Sequence, residues 1–294
     1  MISGGVVLTS MVCRYADFHQ DWYVRWAEAM GLEVSIRDTK AEERNTHRKA
    51  WEWCAIAEAL QERGLLRPGR SGIGFAVGTE PLASVFAAEG VSILGTDLAS
   101  DPAGWSNTNQ HASSLEELYH NGLVSRGVFD ANVKFQPVDM KDLSVLSGLN
   151  ADFVWSSCSF EHLGSLEAGL NFVLEAMQCV KPGGYAVHTT EYNVSSNSAT
   201  LTSGPSVIYR RQDIESLSYA LRSIGCALET PDFDPGSHRY DIEFDYPPYF
   251  YNGRKHIKLL LGQYVSTSML LIIRKGEPPP ADIAAAIETH LGKQ

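Results

Sequence analysis

The chain has 294 residues, and its composition narrows the classes of protein to which it can belong. Lys and Arg number 24 against 35 Asp and Glu, a formal net charge of −11. This balance argues against an extended nucleic-acid or anionic-lipid interface and favours a small molecule as the binding partner. Hydrophobic residues make up 44 % of the chain and charged residues 20 %, as is typical of a globular protein.

The cellular compartment is predicted from the apolar runs, the first residues and the cysteines of the sequence. No apolar run approaches the roughly 18 residues that span a bilayer, and the first basic residue is Arg14, which argues against a secretory signal. The five cysteines are odd in number and dispersed, which disfavours a disulfide framework or a thiolate zinc site. We expect a cytoplasmic protein with no membrane partner; a homo-oligomer stays open.

The N-terminal 68 residues predict a helical extension. Residues 17–30 and 44–63 have helical spacing, each segment is followed by glycine, and Trp53, Ala57 and Leu60 form one stripe. The aromatic residues of this segment suit either ordinary helix packing or a lid. At the other end, residues 277–294 predict a linker and a short peripheral helix.

From residue 69 to 276 short β-type runs alternate with helical patterns, which is typical of a parallel sheet with helices on both faces. The predicted strands are 72–76, 91–96, 133–138, 152–156, 185–190, 242–246 and 265–274. The predicted helices are 79–89, 114–121, 165–180 and 213–224. We therefore predict an α/β Rossmann-like domain over 69–276.

A small-residue turn follows the first predicted strand of this domain. It contains Gly74, Phe75, Ala76 and Gly78, and such turns let a ligand approach the backbone amides at a helix N-terminus. Asp97 ends the next strand 19 residues after Gly78, where an acid can accept hydrogen bonds from ribose hydroxyls. These residues fit a nicotinamide dehydrogenase or an enzyme with another nucleoside cofactor.

Residues further along separate the two classes. Asp139 and Met140 close the third strand and suit the amine and face of a purine. Glu161-His162 follows the fourth strand, and Lys181-Pro182-Gly183-Gly184 precedes the fifth. With the glycine-rich turn and Asp97, this order resembles the class I S-adenosylmethionine-dependent methyltransferases, particularly their small-molecule branch.

The resemblance implies a seven-stranded, mostly parallel sheet whose last strand is antiparallel, with 242–246 and 265–274 as its final pair. It also implies cofactor contacts: the methionine part at Gly74, Phe75, Ala76 and Gly78, the ribose at Asp97, the adenine at Asp139 and Met140, and the sulfonium near Ser157. Two positions depart from the family pattern. Gly72 stands where an acid usually opens the turn and Ala76 replaces a glycine, so the cofactor's amino group needs another partner such as Glu80 or a carbonyl.

Methyl transfer to a hydroxyl needs alignment and a proton acceptor, for which histidine is suited. His188 lies within the fifth strand and His162 after the fourth, and alternation puts His188, Thr190 and Tyr192 on one face. Glu191 ends the same strand. We predict catalytic roles for His188, His162 and Glu191, against the alternative that the histidines are structural.

A metal site is the less favoured reading of the same residues. Glu161, His162, His188 and Glu191 would have to converge, and Cys158 stands where relatives with a magnesium ion usually have a further acid. We predict no metal. Cys158 itself is read as a packing residue rather than a nucleophile.

Two late segments suit a substrate wall. Residues 195–211 form a long polar connection, and 233–256 is rich in aromatics, among them Tyr249, Phe250 and Tyr251. Basic residues at 210–211 and 254–258 predict a solvated surface, with an acidic or phosphorylated substrate as the alternative.

The sequence thus predicts a methyltransferase that acts on oxygen or nitrogen of a small molecule, such as a sugar or secondary metabolite. The alternatives are a nicotinamide-dependent dehydrogenase and a non-catalytic S-adenosylmethionine-binding module. An RNA methyltransferase is disfavoured by the net charge.

Overall fold

A computed structural model describes residues 7–32, 46–100, 110–250 and 254–276. The α-helices are α1 (Asp21–Ala29), α2 (Arg48–Glu62), α3 (Leu82–Ala88), α4 (Arg126–Asn132), α5 (Leu166–Ala176), α6 (Arg211–Ser223) and α7 (Arg239–Ile242). The strands are β1 (Met11–Val12), β2 (Ser71–Phe75), β3 (Ser92–Asp97), β4 (Val133–Pro137), β5 (Ala151–Ser157), β6 (Val180–Asn193), β7 (Cys226–Leu228), β8 (Leu259–Leu261) and β9 (Tyr264–Lys275). No helix in these ranges is both long and apolar enough to cross a membrane.

One mixed sheet organises the fold. Its strand order is β1-β9-β6-β5-β2-β3-β4, and β7 and β8 also pair with β9. Five neighbouring strands run parallel, in the spatial order β6-β5-β2-β3-β4, whereas β9 is antiparallel to β6. The chain moves outward from β2 to β4 and then returns to β5, so the order reverses between β2 and β5. The predicted Rossmann-like α/β fold is confirmed; the described sheet has nine strands rather than seven.

The strand predicted over 242–246 is wrong. Ile242 is the last residue of α7, a helix that His238 caps by accepting from the amide of Tyr240, and the Ile242 side chain is 70 % exposed. The antiparallel partners of β9 are instead β6, β1, β7 and β8. Strand β7 has only three residues, too few for a period-two pattern to reveal.

The bounds of several other elements differ from the prediction. The helix predicted over 114–121 is a short 3₁₀ turn at Leu115–Leu118, and α4 follows it, where Ser125 caps the first turn. Residues 17–30 divide into a 3₁₀ turn at Tyr15–His19 and α1. The Ser165 N-cap is confirmed, since its hydroxyl accepts from the amide of Ala168 at 3.1 Å. Predictions that fall on residues 44–45, 251 and 277–294 lie outside the described residues.

Helix α2 packs directly on one face of the sheet. Trp51, Ile56 and Leu60 are fully buried in one apolar cluster that also contains Phe153 and Trp155 of β5. A second cluster covers the opposite face of the sheet under α5 and α6. The division predicted at residue 68 stays a prediction, but the α2 side chains pack directly on the strands.

Asp17 fixes the start of α2 to the segment before α1. Its carboxylate accepts from the indole nitrogen of Trp51 at 2.9 Å and from the amide of Arg14 at 2.9 Å. Burial raises the pKa of Asp17 to about 6, against the lowering effects of Arg14 and Trp51. The folded protein therefore favours the protonated carboxyl.

We expect Asp17→Asn to flatten the pH dependence of stability. A raised pKa in the folded state contributes stability that is present below the unfolded pKa of about 3.9 and is lost as pH rises through about 6. Urea unfolding between about pH 4 and about pH 7 should show wild type losing about 2–3 kcal/mol more than the variant. The exposed Asp21→Asn is the control. Parallel curves for wild type and Asp17→Asn would contradict this account.

Candidate active site

The site lies where the carboxyl ends of β2 and β5 meet, which is where open α/β sheets bind ligands. The turn after β2 needs small residues. Ala76 and Gly78 have φ of 47° and 51°, in the left-handed region, and a Cβ on Gly74 would lie 2.4 Å from Trp155 and from Val77. The packing of Trp155 and Val77 against this turn therefore requires glycine at position 74.

Asp97 holds this turn from the end of β3. One carboxylate oxygen accepts from the amides of Gly78 at 3.0 Å and Ala112 at 3.1 Å, and the other accepts from Leu98 at 2.8 Å. Burial raises its pKa despite these bonds. A carboxylate offers about four acceptor positions, so the three bonds leave room for one ribose hydroxyl.

The predicted adenine residues lie at the end of β4. The Asp139 side chain is exposed and accepts from the amide of Lys141 at 2.9 Å, whereas Met140 is buried. Phe75 differs from the prediction in orientation. Its ring is fully buried and meets Phe172 edge to face at 5.2 Å, so the side chain packs in the core.

Helix α2 brings charged residues to the end of β5. The Lys49 ammonium donates to the carbonyl oxygen of Ser157 at 3.0 Å and lies 3.1 Å from Glu52. The Ser157 hydroxyl donates to the Glu52 carboxylate at 3.2 Å, and the Cys158 thiol donates to it at 3.1 Å. Ser157 is therefore held in a polar cluster whose α2 members the sequence did not predict.

Glu191 extends this cluster across the sheet. Its carboxylate accepts from the Arg48 guanidinium and from the Ser266 hydroxyl, and the guanidinium also donates to Ser268 at 3.0 Å. We call the set Arg48, Lys49, Glu52, Ser157, Cys158, Glu191, Ser266 and Ser268 the α2 polar network. Alternation along β5, β6 and β9 directs its strand residues to the face that α2 covers.

The charges of the α2 polar network are paired. Burial alone would raise the pKa of Glu52, but Lys49 and Arg48 outweigh it and lower that pKa to about 2. Burial opposes the charge on Arg48, and the carboxylates of Glu191 and Glu52 reverse this and raise its pKa. Two cations and two carboxylates thus neutralise each other in a water-poor site.

Glu80 is a buried carboxyl next to this network. It accepts from the Trp155 indole at 2.8 Å, and burial raises its pKa to about 7, more than Trp155 and Lys49 lower it. Glu80 follows the glycine-rich turn directly, so it stays the candidate partner for the cofactor's amino group.

His188 lies in the core. The ring is fully buried, its Nδ1 lies 2.8 Å from the Ser156 hydroxyl, and it meets Phe160 and Phe172 edge to face. Burial lowers its pKa to about 3. His188 and Tyr192 share a face, as predicted, but it is the face under α5, which disfavours the catalytic role predicted for His188.

The other predicted residues do not converge with His188. The His162 ring lies 2.8 Å from the carbonyl oxygen of Pro205, and Glu161 accepts from Thr190 at 3.2 Å on the α5 side. Glu191 points to the α2 side. Within the described residues, no three His, Cys, Asp or Glu side chains form a group that could hold a metal ion.

The aromatic segment contributes a stack of rings beside α2. Phe250 stacks on His256 at 4.4 Å, His47 stacks on His256 at 4.7 Å, and Phe250 is 63 % exposed. The prediction of a solvated basic surface fails at Lys258, which is fully buried and donates to the Cys13 carbonyl at 2.6 Å.

The signal for the missed residues was present in the sequence. Arg48, Lys49 and Glu52 fall within a helix whose other residues from 51 to 60 are mostly apolar. Charges on a helix stripe that must be buried need partners, so they indicate a polar site at the helix start.

Comparisons with known proteins identify a methyltransferase domain and a similar fold. Residues 72–188 match the model of a methyltransferase domain. A Galdieria sulphuraria protein assigned as a sarcosine dimethylglycine methyltransferase superposes with a TM-score of 0.50 at 16 % identity, covering 88 % of this chain and 99 % of that one. The magnesium protoporphyrin IX methyltransferase of Synechocystis, solved with bound S-adenosylhomocysteine, gives a TM-score of 0.45 at 12 % identity over 89 % and 97 %. No curated protein matches.

The fold and the matched domain together define an α/β enzyme. The match over residues 72–188 identifies a methyltransferase domain in this chain, and S-adenosylmethionine is the cofactor of such a domain. Asp97, the predicted ribose residue, fits this cofactor, because its three bonds to backbone amides leave one of about four acceptor positions open. The family match decides against the nicotinamide dehydrogenase.

We expect Glu80→Gln to weaken cofactor binding in a pH-dependent way. Glutamine keeps the bond to Trp155 but cannot gain the negative charge that an arriving ammonium group would stabilise. Calorimetry with S-adenosylhomocysteine should show about tenfold weaker binding at about pH 8 and a smaller difference at about pH 6, below the Glu80 pKa of about 7. Glu89→Gln, at the exposed end of α3, is the control. An equal loss at both pH values would contradict the charge argument.

Proposed function

We propose that the protein transfers the S-adenosylmethionine methyl group to oxygen or nitrogen of a small molecule, such as a sugar or a secondary metabolite. One observation carries this proposal. The α2 polar network stands at the carboxyl ends of β5 and β6 and the amino end of β9, and β5 is the neighbour of β2, which leads into the turn at Gly74 and Gly78. A polar acceptor bound there would lie beside the cofactor.

The chain's own residues divide the work of holding the cofactor, which supplies an electrophilic methyl group when bound. The turn at Gly74, Ala76 and Gly78 receives its methionine part. Asp97 receives the ribose, and Asp139 with the apolar surface of Met140 receives the adenine. Ser157, fixed by Lys49 and Glu52, lies near the sulfonium.

Charge and hydrogen bonding define the acceptor's character. The α2 polar network offers hydroxyls, a guanidinium and carboxylates without a net charge, which suits a neutral or zwitterionic polar molecule. Glu191 is the network's contact for an acceptor hydroxyl or amine, because it lies near the carboxyl end of β6 at the ligand edge of the sheet. The net charge of −11 and this small polar site both favour a small molecule over a nucleic acid. A cytoplasmic location is part of the same proposal.

The proposal is tested by incubating the protein with methyl-labelled S-adenosylmethionine and a protein-free metabolite extract. Mass spectrometry should find at least one metabolite that carries the label. Binding of S-adenosylhomocysteine without any labelled product would favour the non-catalytic binding module.

We expect Glu191→Gln to lower this methylation rate at least tenfold while S-adenosylhomocysteine binding stays within about twofold. The variant keeps the size of the side chain but leaves the Arg48 charge without its carboxylate. Glu167→Gln, on the exposed surface of α5, should match wild type. An unchanged rate in Glu191→Gln would contradict the proposed contact between Glu191 and the acceptor.

A further inference from the structure

A buried carboxylate fixes one ring of the aromatic stack. Asp245 is fully buried, and its Oδ2 lies 2.7 Å from Nδ1 of His256. The same carboxylate accepts from the amides of Tyr246 at 2.9 Å and Phe250 at 3.2 Å. The backbone of Asp245 is bonded to Lys258 and Leu260, so the acid and the histidine are held together by their own chain segment.

This arrangement sets the tautomer of His256. A carboxylate only accepts, so the proton of the neutral ring sits on Nδ1 and the lone pair is on Nε2. Within the described residues Nε2 has no hydrogen-bond partner, and the side chain keeps 11 % of its surface exposed. Among the described residues the ring therefore offers an unbonded basic nitrogen, oriented by a buried acid.

The surroundings keep the ring neutral. Burial lowers the pKa of His256, which outweighs the raising effect of Asp245, and Arg48 lowers it further while Glu191 raises it. The neighbouring rings add no charge: burial and His256 itself lower the pKa of His47 to about 3, and burial raises that of Tyr249. His256 is thus in its basic form near neutral pH.

His256 stands at the ligand end of the sheet. Its carbonyl accepts from the amide of Arg48 at 3.0 Å, and Arg48 is paired with Glu191 and lies 3.6 Å from Glu52. Glu52 in turn accepts from Ser157. A short chain of contacts therefore joins His256 to the strand end at which the sulfonium is placed.

We propose that Nε2 of His256 is the proton acceptor for methyl transfer and that Asp245 is its positioning residue; this rests on the proposed function. The acceptor's O–H or N–H proton passes to Nε2 while the acceptor's lone pair takes the methyl group. The methyl–sulfur bond breaks and its electron pair stays on sulfur. The positive charge of the sulfonium is thereby replaced by that of the imidazolium beside Asp245.

The geometry is tested without any acceptor. Nitrogen-15 NMR of histidine-labelled protein, assigned with His256→Gln, should show a neutral His256 with its proton on Nδ1 at about pH 7. Asp245→Asn should change this signal, whereas Asp234→Asn, in the same segment but exposed, should not. A charged ring or a proton on Nε2 would overturn the proposal, whatever the outcome of the activity assay.

The role is tested with methyl-labelled S-adenosylmethionine and the metabolite extract. His256→Gln should lower the labelling rate about 100-fold or more, with S-adenosylhomocysteine binding retained, and His19→Gln on the exposed surface should not. Wild type should lose activity as pH falls below the ordinary histidine pKa of about 6.5. Asp245→Asn should shift the pH at which this acidic loss of activity occurs. An unchanged rate in His256→Gln would overturn the proposal. A wild type that labels nothing would instead contradict the proposed function.

Discussion

The buried pairing of Arg48 with Glu191 is the constraint on which the site depends. Neither charge can remain in a site with so little water unless the other stays in contact, since an unpaired buried charge costs several kcal/mol. The pair joins the first turn of α2 to the end of β6. It therefore fixes where the helix begins relative to the strand ends, and with it the positions of Lys49 and Glu52.

The long strands β6 and β9 follow from the same constraint. They continue their antiparallel pairing to Asn193 and Ser266, beyond the point at which β5 ends. This extension places Ser266 and Ser268 beside the carboxylates of Glu191 and Glu52, to which their hydroxyls donate in addition to the cations. A site built this way has few unpaired polar groups before a substrate arrives, which keeps its geometry fixed.

Sequence reasoning grouped the glycine-rich turn with Asp97, which the structure brings into contact, and missed Arg48, Lys49 and Glu52, for a physical reason. The turn at Gly74 to Gly78 and the acid at Asp97 are separated by one strand–helix–strand unit, so local spacing alone brings them together. Arg48 and Glu191 are 143 residues apart and meet only through the packing of α2 on the sheet. Alternation correctly grouped His188 with Tyr192, but a period of two does not tell which face a helix covers. The strand predicted at 242–246 failed because a short apolar alternation also fits a capped turn of helix.

Charge balance links the two halves of the molecule. The α2 polar network is neutral, so by itself it neither attracts nor repels a sulfonium, and it stabilises polar contacts rather than one charge state. Methyl transfer moves one positive charge from sulfur to the proton that the acceptor releases. A neutral imidazole against the buried Asp245 takes up that charge where a carboxylate already faces it. His188, enclosed by Phe160 and Phe172, has no such counter-charge among its described contacts. The two histidines therefore differ in what surrounds the ring rather than in their intrinsic chemistry, and this difference assigns the proton to His256.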